Sequence, residues 1–495
     1  MQSWLPVVLL TLPWLQNVSY GPSPAVVQGL LTWLCFACFL LYAVATHISS
    51  RQKEHFIFGA WALAALVSAC MGLLQYFGLT AWLQGVVTPA ELGQAFGNLR
   101  QRNQFSTLMS IGFIAVLWHS QKLCRARTWY QYGLYLCVAV LAAASAASGS
   151  RTGLLQWLLI LGIYCVWLPD KRRLLVFAML AYGLAAVVLP LALGSGMQTS
   201  GIMSRLHENS PICTSRLTLW SNVLHLISQK PLWGWGWGML DYAYFVTLFP
   251  TERFCGIVDN AHNLPLQWAV ELGLPMATLF CAAIVGFVLF GKPWRENNPS
   301  KQAAWAVLSA IGLHSLLEYP LWYAPFQLAT LLAVYLLISD THNLNTQVAK
   351  RASFKATALI SMLVLFATSL VAFDYGRMSQ IYLPVASRAK VFETGVMGQP
   401  QSSWFFKDMV LFSKLSTTPL TLQNAADVYA NATHLLTLSP EPRVIEKLLE
   451  SAIMLGKTEV IDAYLARYHA AFPAEAKRWQ SLNAHKINAL PSKSR

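Results

Sequence analysis

Charged residues are scarce in this chain, and their scarcity decides its class. Only 11% of the 495 residues are Asp, Glu, Lys or Arg, whereas soluble domains carry about a quarter. Hydrophobic residues make up 56%, and the mean hydropathy is +0.46. So little charge excludes a soluble globular enzyme, because much of the surface has to face lipid. The sequence predicts an integral membrane protein.

Acidic residues are fewer than basic ones, 21 against 35, which gives a formal net charge of +14. A basic chain can bind nucleic acid, but the basic residues here cluster in short loops between apolar runs. That placement specifies topology in membrane proteins, so no nucleic-acid partner is expected. The first 20 residues lack a positively charged segment, so no cleavable signal peptide is expected.

Apolar runs that could cross a bilayer recur along the first 373 residues. A spanning helix takes about 20 apolar residues, because its backbone polar groups must be satisfied internally. The sequence therefore predicts an all-α polytopic protein with about eleven transmembrane helices and a membrane domain at 1–373. The candidate spans are 4–20, 25–47, 56–78, 104–119, 130–147, 153–169, 174–193, 264–290, 303–318, 322–339 and 356–373.

Fourteen basic residues set the orientation of these spans, since all of them fall in alternate loops on one side. The positive-inside rule makes that side cytoplasmic. The amino terminus is then expected inside and the carboxy terminus outside. The fourteen are Arg51, Lys53, Lys122, Arg125, Arg127, Lys171, Arg172, Arg173, Lys292, Arg295, Lys301, Lys350, Arg351 and Lys355.

Two segments are too long and polar for ordinary connections. One is a large external loop at 194–262, and the other is a tail at 374–495, where charged residues return at a soluble frequency. The tail is predicted to be a soluble domain of helical hairpins, with amphipathic helices at Pro442–Leu455 and Thr458–Tyr468.

Only two of the nine cysteines fall on the external side, Cys213 and Cys255, both in the large loop. An oxidising compartment favours a disulfide between them. Two unpaired, packed thiols are the alternative, because a sequence cannot supply the Cα separation that a disulfide needs.

A first group of candidate site residues consists of arginines that run against the positive-inside bias. Arg100, Arg102 and Asn103 precede span four, and Arg151 begins span six, beside Gly, Ser and Asn residues. A guanidinium group presents planar, bidentate donors that match phosphate oxygens. The alternative is snorkelling toward lipid headgroups. Arg216, in a predicted helical stretch of the large loop, is a weaker member of this group.

A second group opens span eight, where Asn263, Gln267 and Glu271 recur every four residues on one helical face. Helix rise places Glu271 roughly 12 Å below Asn263, so its carboxylate must face a polar cavity or a partner. His262 lies at the mouth of this stripe, where an imidazole can accept a proton. An inert loop histidine is the alternative.

A third group closes span nine, where His314 and Glu318 are four residues apart and Tyr319 follows. One reading is a buried His–Glu pair that joins two helices. The other is a catalytic or supporting pair with Tyr319 as a hydroxyl donor. Spacing that would hold a metal ion, such as His-Glu-x-x-His, is absent, so no metal or other cofactor is expected.

These residues also carry a resemblance. The chain resembles bacterial protein O-oligosaccharyltransferases of the PglL type, within the O-antigen ligase and polymerase (Wzy_C) superfamily. The match follows from the order and spacing of several loose motifs rather than from any one of them. The matching segments are 97–103, 148–153, the Trp-Gly run at 231–238, 259–273 and 314–321.

The resemblance implies a GT-C-like inner-membrane enzyme with a periplasmic loop and tail. It would transfer a preassembled oligosaccharide from undecaprenyl pyrophosphate to a Ser or Thr hydroxyl of a protein, often a pilin. It implies that His262 removes or orients the acceptor proton and that Arg151 and Arg216 meet the pyrophosphate. One departure is Arg100, which stands where the family pattern leads us to expect a small residue.

Three alternatives to a protein transferase stay open. Within the superfamily, the chain could be a ligase that joins O-antigen to lipid A core, or a polymerase that extends the glycan. The tail favours a protein acceptor, because helical hairpins can dock a folded partner. A transporter for a lipid-linked sugar is the third alternative, although no inverted repeats are visible and the polar residues concentrate near one face.

Overall fold

The structure is a computed structural model that describes residues 4–122, 128–194, 211–339, 347–390 and 403–488. Within these ranges every regular element is a helix, as the sequence predicts. Two predicted topology residues, Arg125 and Arg127, and loop residues 195–210 lie outside the described residues.

Nineteen α-helices are described, and they are numbered here in chain order. They are α1 Leu5–Leu15, α2 Pro24–Ala45, α3 Ser50–Tyr76, α4 Arg102–Lys122, α5 Thr128–Ala147, α6 Arg151–Trp167, α7 Arg172–Ala192, α8 Arg216–Gln229, α9 Leu240–Val246, α10 Leu264–Leu272, α11 Leu274–Gly291, α12 Pro299–Ser315, α13 Ala324–Ile338, α14 Gln347–Ser379, α15 Lys407–Thr417, α16 Ala425–Leu436, α17 Pro442–Met454, α18 Thr458–Ala471 and α19 Pro473–Asn488.

Many of these helices are apolar, and the chain is a multi-pass membrane protein. Among the described residues, six helical segments are long and apolar enough to cross a membrane. Each of the eleven predicted spans coincides with a helix, except that span eight is broken at Gly273 into α10 and α11. The count of eleven stays a prediction. The six segments are Pro24–Ala45, Ser50–Tyr76, Thr128–Ala147, Pro169–Ala192, Leu274–Arg295 and Phe354–Tyr382.

The chain divides into two compact units, and the first comprises Met1–Asn209 and Val288–Ala372. Its centre is α4, in which every residue from Gln104 to Trp118 is buried. Small residues let neighbouring helices approach α4 closely. A Cβ on Gly112 would come within 2.2 Å of the Ala65 Cβ of α3. Serine, threonine and glutamine among these buried residues lower the hydropathy of α4, which explains why it is not one of the six apolar segments.

The second unit comprises Ser210–Phe287 and Phe373–Arg495, so it combines the large loop with the tail. The tail is helical, and the predicted pair is observed as α17 and α18, joined by a turn with Gly456 at φ +67°. Helix α9 of the loop packs on the tail. The Phe245 and Tyr464 rings stack 6.3 Å apart, and Arg467 Nε donates to the Val246 carbonyl at 2.7 Å.

The large loop is cross-linked, because Cys213 and Cys255 form a disulfide with a Cα separation of 5.1 Å. This is the pairing that the sequence predicted. The Cys255 amide also donates to the Cys213 carbonyl at 2.8 Å. The bond fixes the segment that precedes α8 against the segment that leads into Asp259 and His262.

We expect replacement of both loop cysteines by Ser to lower the free energy of unfolding by roughly 2–4 kcal/mol, because the bond closes a separation of 42 residues in the unfolded chain. Thermal unfolding of the purified protein, followed by tryptophan fluorescence, measures the effect. Serine at two exposed free cysteines, Cys70 and Cys165, is the control. Equal melting temperatures for both double variants would show that the bond does not stabilise the loop.

Candidate functional site

The predicted site residues fall into two groups, one in each unit. The second unit contains Arg216, His262, Asn263, Gln267 and Glu271. The first unit contains the remaining predicted site residues. The first-unit residues are Arg100, Arg102, Asn103, Arg151, His314, Glu318 and Tyr319.

His262 lies on a short loop whose backbone is fixed on both sides. Its φ of +51° is rare for a residue other than glycine and is found where neighbouring contacts enforce it. The Asn260 side chain accepts from the His262 amide at 2.8 Å. The Ala261 amide donates to Gln267 Oε1 at 2.7 Å, and Trp220 Nε1 donates to the Ala261 carbonyl at 3.1 Å. The loop therefore presents a half-buried imidazole from a rigid backbone.

The polar stripe predicted on span eight supports the His262 loop through hydrogen bonds. Asn263 caps α10, accepting from the Leu266 amide at 3.1 Å. Gln267 is 2% exposed and donates through Nε2 to Glu271 Oε1 at 2.9 Å. Glu271, 3% exposed, also accepts from the Gly238 amide at 3.0 Å. The partner that the sequence required for Glu271 is thus a side-chain amide and a backbone amide, and the stripe connects Gly238 to Ala261.

The Trp-Gly run at 231–238 packs against the end of α10 with its backbone. The Trp235 amide donates to the Val270 carbonyl at 2.8 Å, and the Gly236 amide to the Glu271 carbonyl at 2.9 Å. Glycine is required here because a Cβ on Gly234 would lie 2.4 Å from the Glu271 backbone. The run is therefore a glycine-rich turn that packs its backbone on α10.

Arg216 is the first residue of α8, and the preceding Ser215 caps the helix by accepting from the Thr218 amide at 3.1 Å. Trp220, which contacts the His262 loop, is one turn further on the same face, about 6 Å along the helix axis. The guanidinium group therefore stands at a helix amino terminus, where the helix dipole also favours an anion.

In the first unit, two predicted groups that are more than 200 residues apart come together. Asn103 near the start of α4 accepts from the Ser150 hydroxyl at 2.6 Å and donates to Glu318 Oε1 at 3.3 Å. Ser150 also caps α6 by accepting from the Gly153 amide at 2.9 Å. The motif around Arg151 and the motif around Glu318 therefore share one hydrogen-bond network.

His314 is fully buried and lies four residues before Glu318. Its Nδ1 lies 2.8 Å from the Thr107 hydroxyl, and Gln156 Nε2 bonds both Thr107 Oγ1 and the Ala310 carbonyl at 2.9 Å. The Nε2 of His314 has no hydrogen-bond partner among the described residues. The histidine therefore joins α4, α6 and α12 through Thr107.

Glu318 and Tyr319 lie just beyond α12, which ends at Ser315. Predicted span nine ran to Glu318, but Pro320 cannot donate a backbone hydrogen bond, and a 3₁₀ turn at Pro320–Trp322 follows instead. Glu318 is 7% exposed. The Tyr319 ring stacks on Tyr323 at 6.1 Å.

The three arginines of the first unit differ in their surroundings. Arg151 begins α6, is exposed, and makes no hydrogen bond or ion pair within the described ranges. Arg102 begins α4 and is half-buried. Arg100 lies in the preceding loop with φ +59°, and its guanidinium donates to the Asn17 carbonyl at 3.3 Å and side chain at 3.1 Å.

One candidate that sequence reasoning missed is Asp241, on α9 just after the Trp-Gly run. Burial raises the pKa of its carboxyl from 3.8 to about 7, and the carboxylates of Asp259 and Glu271 add to the rise. A carboxyl with a pKa near 7 can accept a proton at neutral pH. No sequence motif indicated this residue, because its environment arises from segments that meet only in the folded unit.

Three family models match successive parts of the chain. The model described as Protein glycosylation ligase matches residues 95–118, and the model described as O-Antigen ligase matches residues 136–281. The model described as Virulence factor membrane-bound polymerase, C-terminal, matches residues 302–486. All of the predicted site residues fall within these three segments.

Two curated proteins of Acinetobacter baylyi (strain ATCC 33305 / BD413 / ADP1) are similar to this chain. One is named General O-oligosaccharyltransferase and is 26% identical over 57% of this chain and 50% of its own length. The other is named ComP-specific O-oligosaccharyltransferase and is 25% identical over 47% of this chain and 42% of its own length. The resemblance to this superfamily is confirmed. The chain spans about half the length of the curated relatives it matches.

We expect Gln267→Leu to lower the free energy of unfolding by about 3 kcal/mol. The change removes the acceptor for the buried Ala261 amide and one of the two donors to Glu271, and a buried polar group left unpaired costs about 1–3 kcal/mol. Chemical denaturation of the purified protein tests this. Gln423→Leu, at an exposed position of the same unit, is the control. If both variants unfold at the same denaturant concentration, the stripe does not hold the loop.

We expect Asp241→Asn to raise the melting temperature by a few degrees at pH 8 and by less at pH 4. The carboxyl ionises near pH 4 in the unfolded chain and near pH 7 in the fold. The folded protein therefore binds more protons than the unfolded chain between these values, so Asp241 lowers the free energy of unfolding as pH rises through that window. Asn cannot ionise and escapes the loss.

The control for this pH series is Asp462→Asn, at an exposed position on α18. Its melting temperature should differ from that of the wild type by a similar amount at both pH values. A gain for Asp241→Asn that is equal at pH 4 and pH 8 would contradict the raised pKa.

Proposed function

We propose that this protein is a glycosyltransferase that moves a preassembled oligosaccharide from undecaprenyl pyrophosphate to a Ser or Thr hydroxyl of an acceptor protein. The proposal rests mainly on the His262 loop, whose backbone is fixed by hydrogen bonds so that the half-buried imidazole has a defined position. It lies within the segment that matches the O-Antigen ligase model, in a chain similar to two proteins named as O-oligosaccharyltransferases.

In the proposed reaction the acceptor oxygen attacks the anomeric carbon of the first sugar. A bond forms between these atoms while the bond from the anomeric carbon to the phosphate oxygen breaks. The hydroxyl proton passes to the imidazole of His262, and the bonding electron pair leaves with the pyrophosphate. The rigid backbone at Asn260, Ala261 and Asn263 holds the imidazole in place, and positioning of this kind lowers the barrier.

Arginines neutralise the leaving pyrophosphate in this proposal. Arg216 stands at the amino terminus of α8, and Arg151 at that of α6, where it is exposed and has no partner among the described residues. Arg102 begins α4 beside Asn103. Preorganised donors stabilise the charge that develops on the leaving group, so the reaction is expected to need no metal ion.

Glu318, His314, Gln267 and Glu271 serve this reaction as positioning residues rather than by contact with the substrate. Each is at least 93% buried and hydrogen-bonded within its own unit. Glu318 orients Asn103 and Ser150, next to Arg151. Tyr319, which is half-buried, is assigned to the acceptor side as a hydroxyl donor.

The acceptor is proposed to be a pilin-like protein that docks on the tail helices. One relative is named as ComP-specific, and the tail helices pack around a core that includes Leu448 and Tyr468. We propose that the reaction takes place on the periplasmic face of the inner membrane, with the amino terminus in the cytoplasm.

A ligase acting on lipid A core is the second candidate function, because the O-Antigen ligase model covers 136–281.

The proposal is tested by expressing the chain in cells that supply a lipid-linked glycan and a tagged pilin, and by measuring the pilin mass. We expect a glycan-sized mass increase with the wild type. His262→Ala should lower the modified fraction at least 100-fold, in line with the usual contribution of a general base, while its amount in the membrane is unchanged.

His225→Ala is the matched control, because His225 is a half-buried histidine of the same loop that contacts Gln229. It should leave the modified fraction unchanged. If several pilins gain no mass while glycan appears on lipid A core, the ligase replaces the protein transferase. If His262→Ala keeps full activity, His262 is not the base.

A further inference from the structure

A cavity of about 340 Å³ lies in the first unit, where α1 ends and where α2 and α13 begin. Its wall includes Gln16, Gln28, Leu99, Arg100, Gln101 and Tyr323. This is the end of the unit that carries Arg102 and Arg151 at the starts of α4 and α6. Arg100 is two residues before Arg102, so their Cα atoms are at most about 7 Å apart.

The wall of this cavity is rigid. Asn98 is 5% exposed, and its amide group donates to the Leu15 carbonyl at 2.7 Å and the Val86 carbonyl at 2.9 Å. Its oxygen accepts from the Thr88 amide at 2.9 Å. Buried Gln75 bonds the Gly97 amide and carbonyl at 2.7 and 2.9 Å. The loop that carries Arg100 is therefore formed before any ligand arrives.

Arg100 occupies a backbone conformation that would suit glycine better. Its φ of +59° lies in the left-handed region, where a residue that carries a Cβ is strained. Only Nη2 is bonded, to Asn17, so Nε and Nη1 have no protein partner within the described residues. Arg100 is exposed and lines the cavity, so these donors are available to a ligand that enters it.

Gln28 gives an independent indication of a ligand. Its side chain is nine-tenths buried and lines the cavity, yet its amide makes no hydrogen bond to any residue that the structure describes. A polar ligand in the cavity would bond to these unused donor and acceptor atoms.

The remaining groups define the ligand chemistry. Gln16 and Gln101 each use their oxygen locally, accepting from Val18 and Gln104 amides, so their NH₂ groups are left to donate. The cavity wall contains no Asp or Glu. One cation, several neutral amides and an aromatic ring suit a hydroxylated ring that bears one negative charge, and the volume is of the size that small-ligand sites have.

We propose that this cavity binds an acidic sugar, a sugar ring that carries a carboxylate or phosphate group, with Arg100 on the negative group and Gln28 on the ring substituents. The sugar belongs to the donor glycan, a source that rests on the proposed function. The site would select donors that contain such a sugar, which the transfer chemistry at His262 does not require.

The test is ligand-observed NMR binding with the full chain in detergent. The probes are a uronic-acid disaccharide, its neutral counterpart and inorganic phosphate. The acidic disaccharide should bind about tenfold more tightly than the neutral one. Arg100→Gln should abolish that difference, Gln28→Leu should weaken both disaccharides about fivefold, and Arg172→Gln, an exposed arginine elsewhere in the same unit, should change neither.

Arg100→Gly separates binding from structure. It should keep or raise the melting temperature, because glycine relieves the positive φ, and it should lose the preference for the acidic disaccharide. Equal binding of both disaccharides by the wild type would overturn the proposal. So would phosphate binding as tightly as the acidic disaccharide, which would leave a simple anion site.

Transfer assays with neutral and acidic donor glycans distinguish this site from the proposed function. Arg100→Gln should lower kcat/KM about tenfold for the acidic donor only. If the wild type modifies no protein but still binds the acidic sugar through Arg100, the proposed function fails and the site stands. If transfer occurs with equal kcat/KM for both donors in the wild type and the variant, the function stands and the site fails.

Discussion

The backbone contact between the Trp-Gly run and the end of α10 is the constraint on which the His262 loop depends. Gly234 lies so close to the Glu271 backbone that a Cβ would meet it at 2.4 Å. This approach lets the Gly238 amide reach the Glu271 side chain. Glu271 then fixes Gln267, and Gln267 fixes Ala261. A buried carboxylate is tolerated because two donors compensate for its desolvation, and the imidazole next to Ala261 inherits a defined position.

The first unit uses the same device with different residues. Asn103, Ser150 and Glu318 bond one another at one end of the unit, and Thr107, Gln156 and His314 form a second layer below. Polar side chains are costly in an apolar bundle unless they are paired, so these layers fix how α4, α6 and α12 meet. The consequence is that Arg151 starts its helix in a fixed direction with its guanidinium group exposed.

Under the proposed function, the arginines at helix starts and Arg100 in the cavity would have different roles. Arg151 and Arg216 stand at helix amino termini, which suits a multiply charged phosphate group. Arg100 stands among neutral amides, which suits a single charge on a hydroxylated ring. Recognition of the carrier and selection of the glycan would then depend on different side chains, and a change in glycan preference would not require a change in the chemistry.

The sequence alone determined the helical class, because low charge and long apolar runs admit little else in lipid. It also indicated the disulfide partners, the amphipathic helices of the tail, and the polar stripe of Asn263, Gln267 and Glu271. Only the tertiary structure brought Asn103 to Glu318, turned the stripe into support for His262, raised the pKa of Asp241 and grouped the loop with the tail. The physical reason is that periodicity reports which face of an element is polar, whereas burial and pairing depend on segments far apart in the chain.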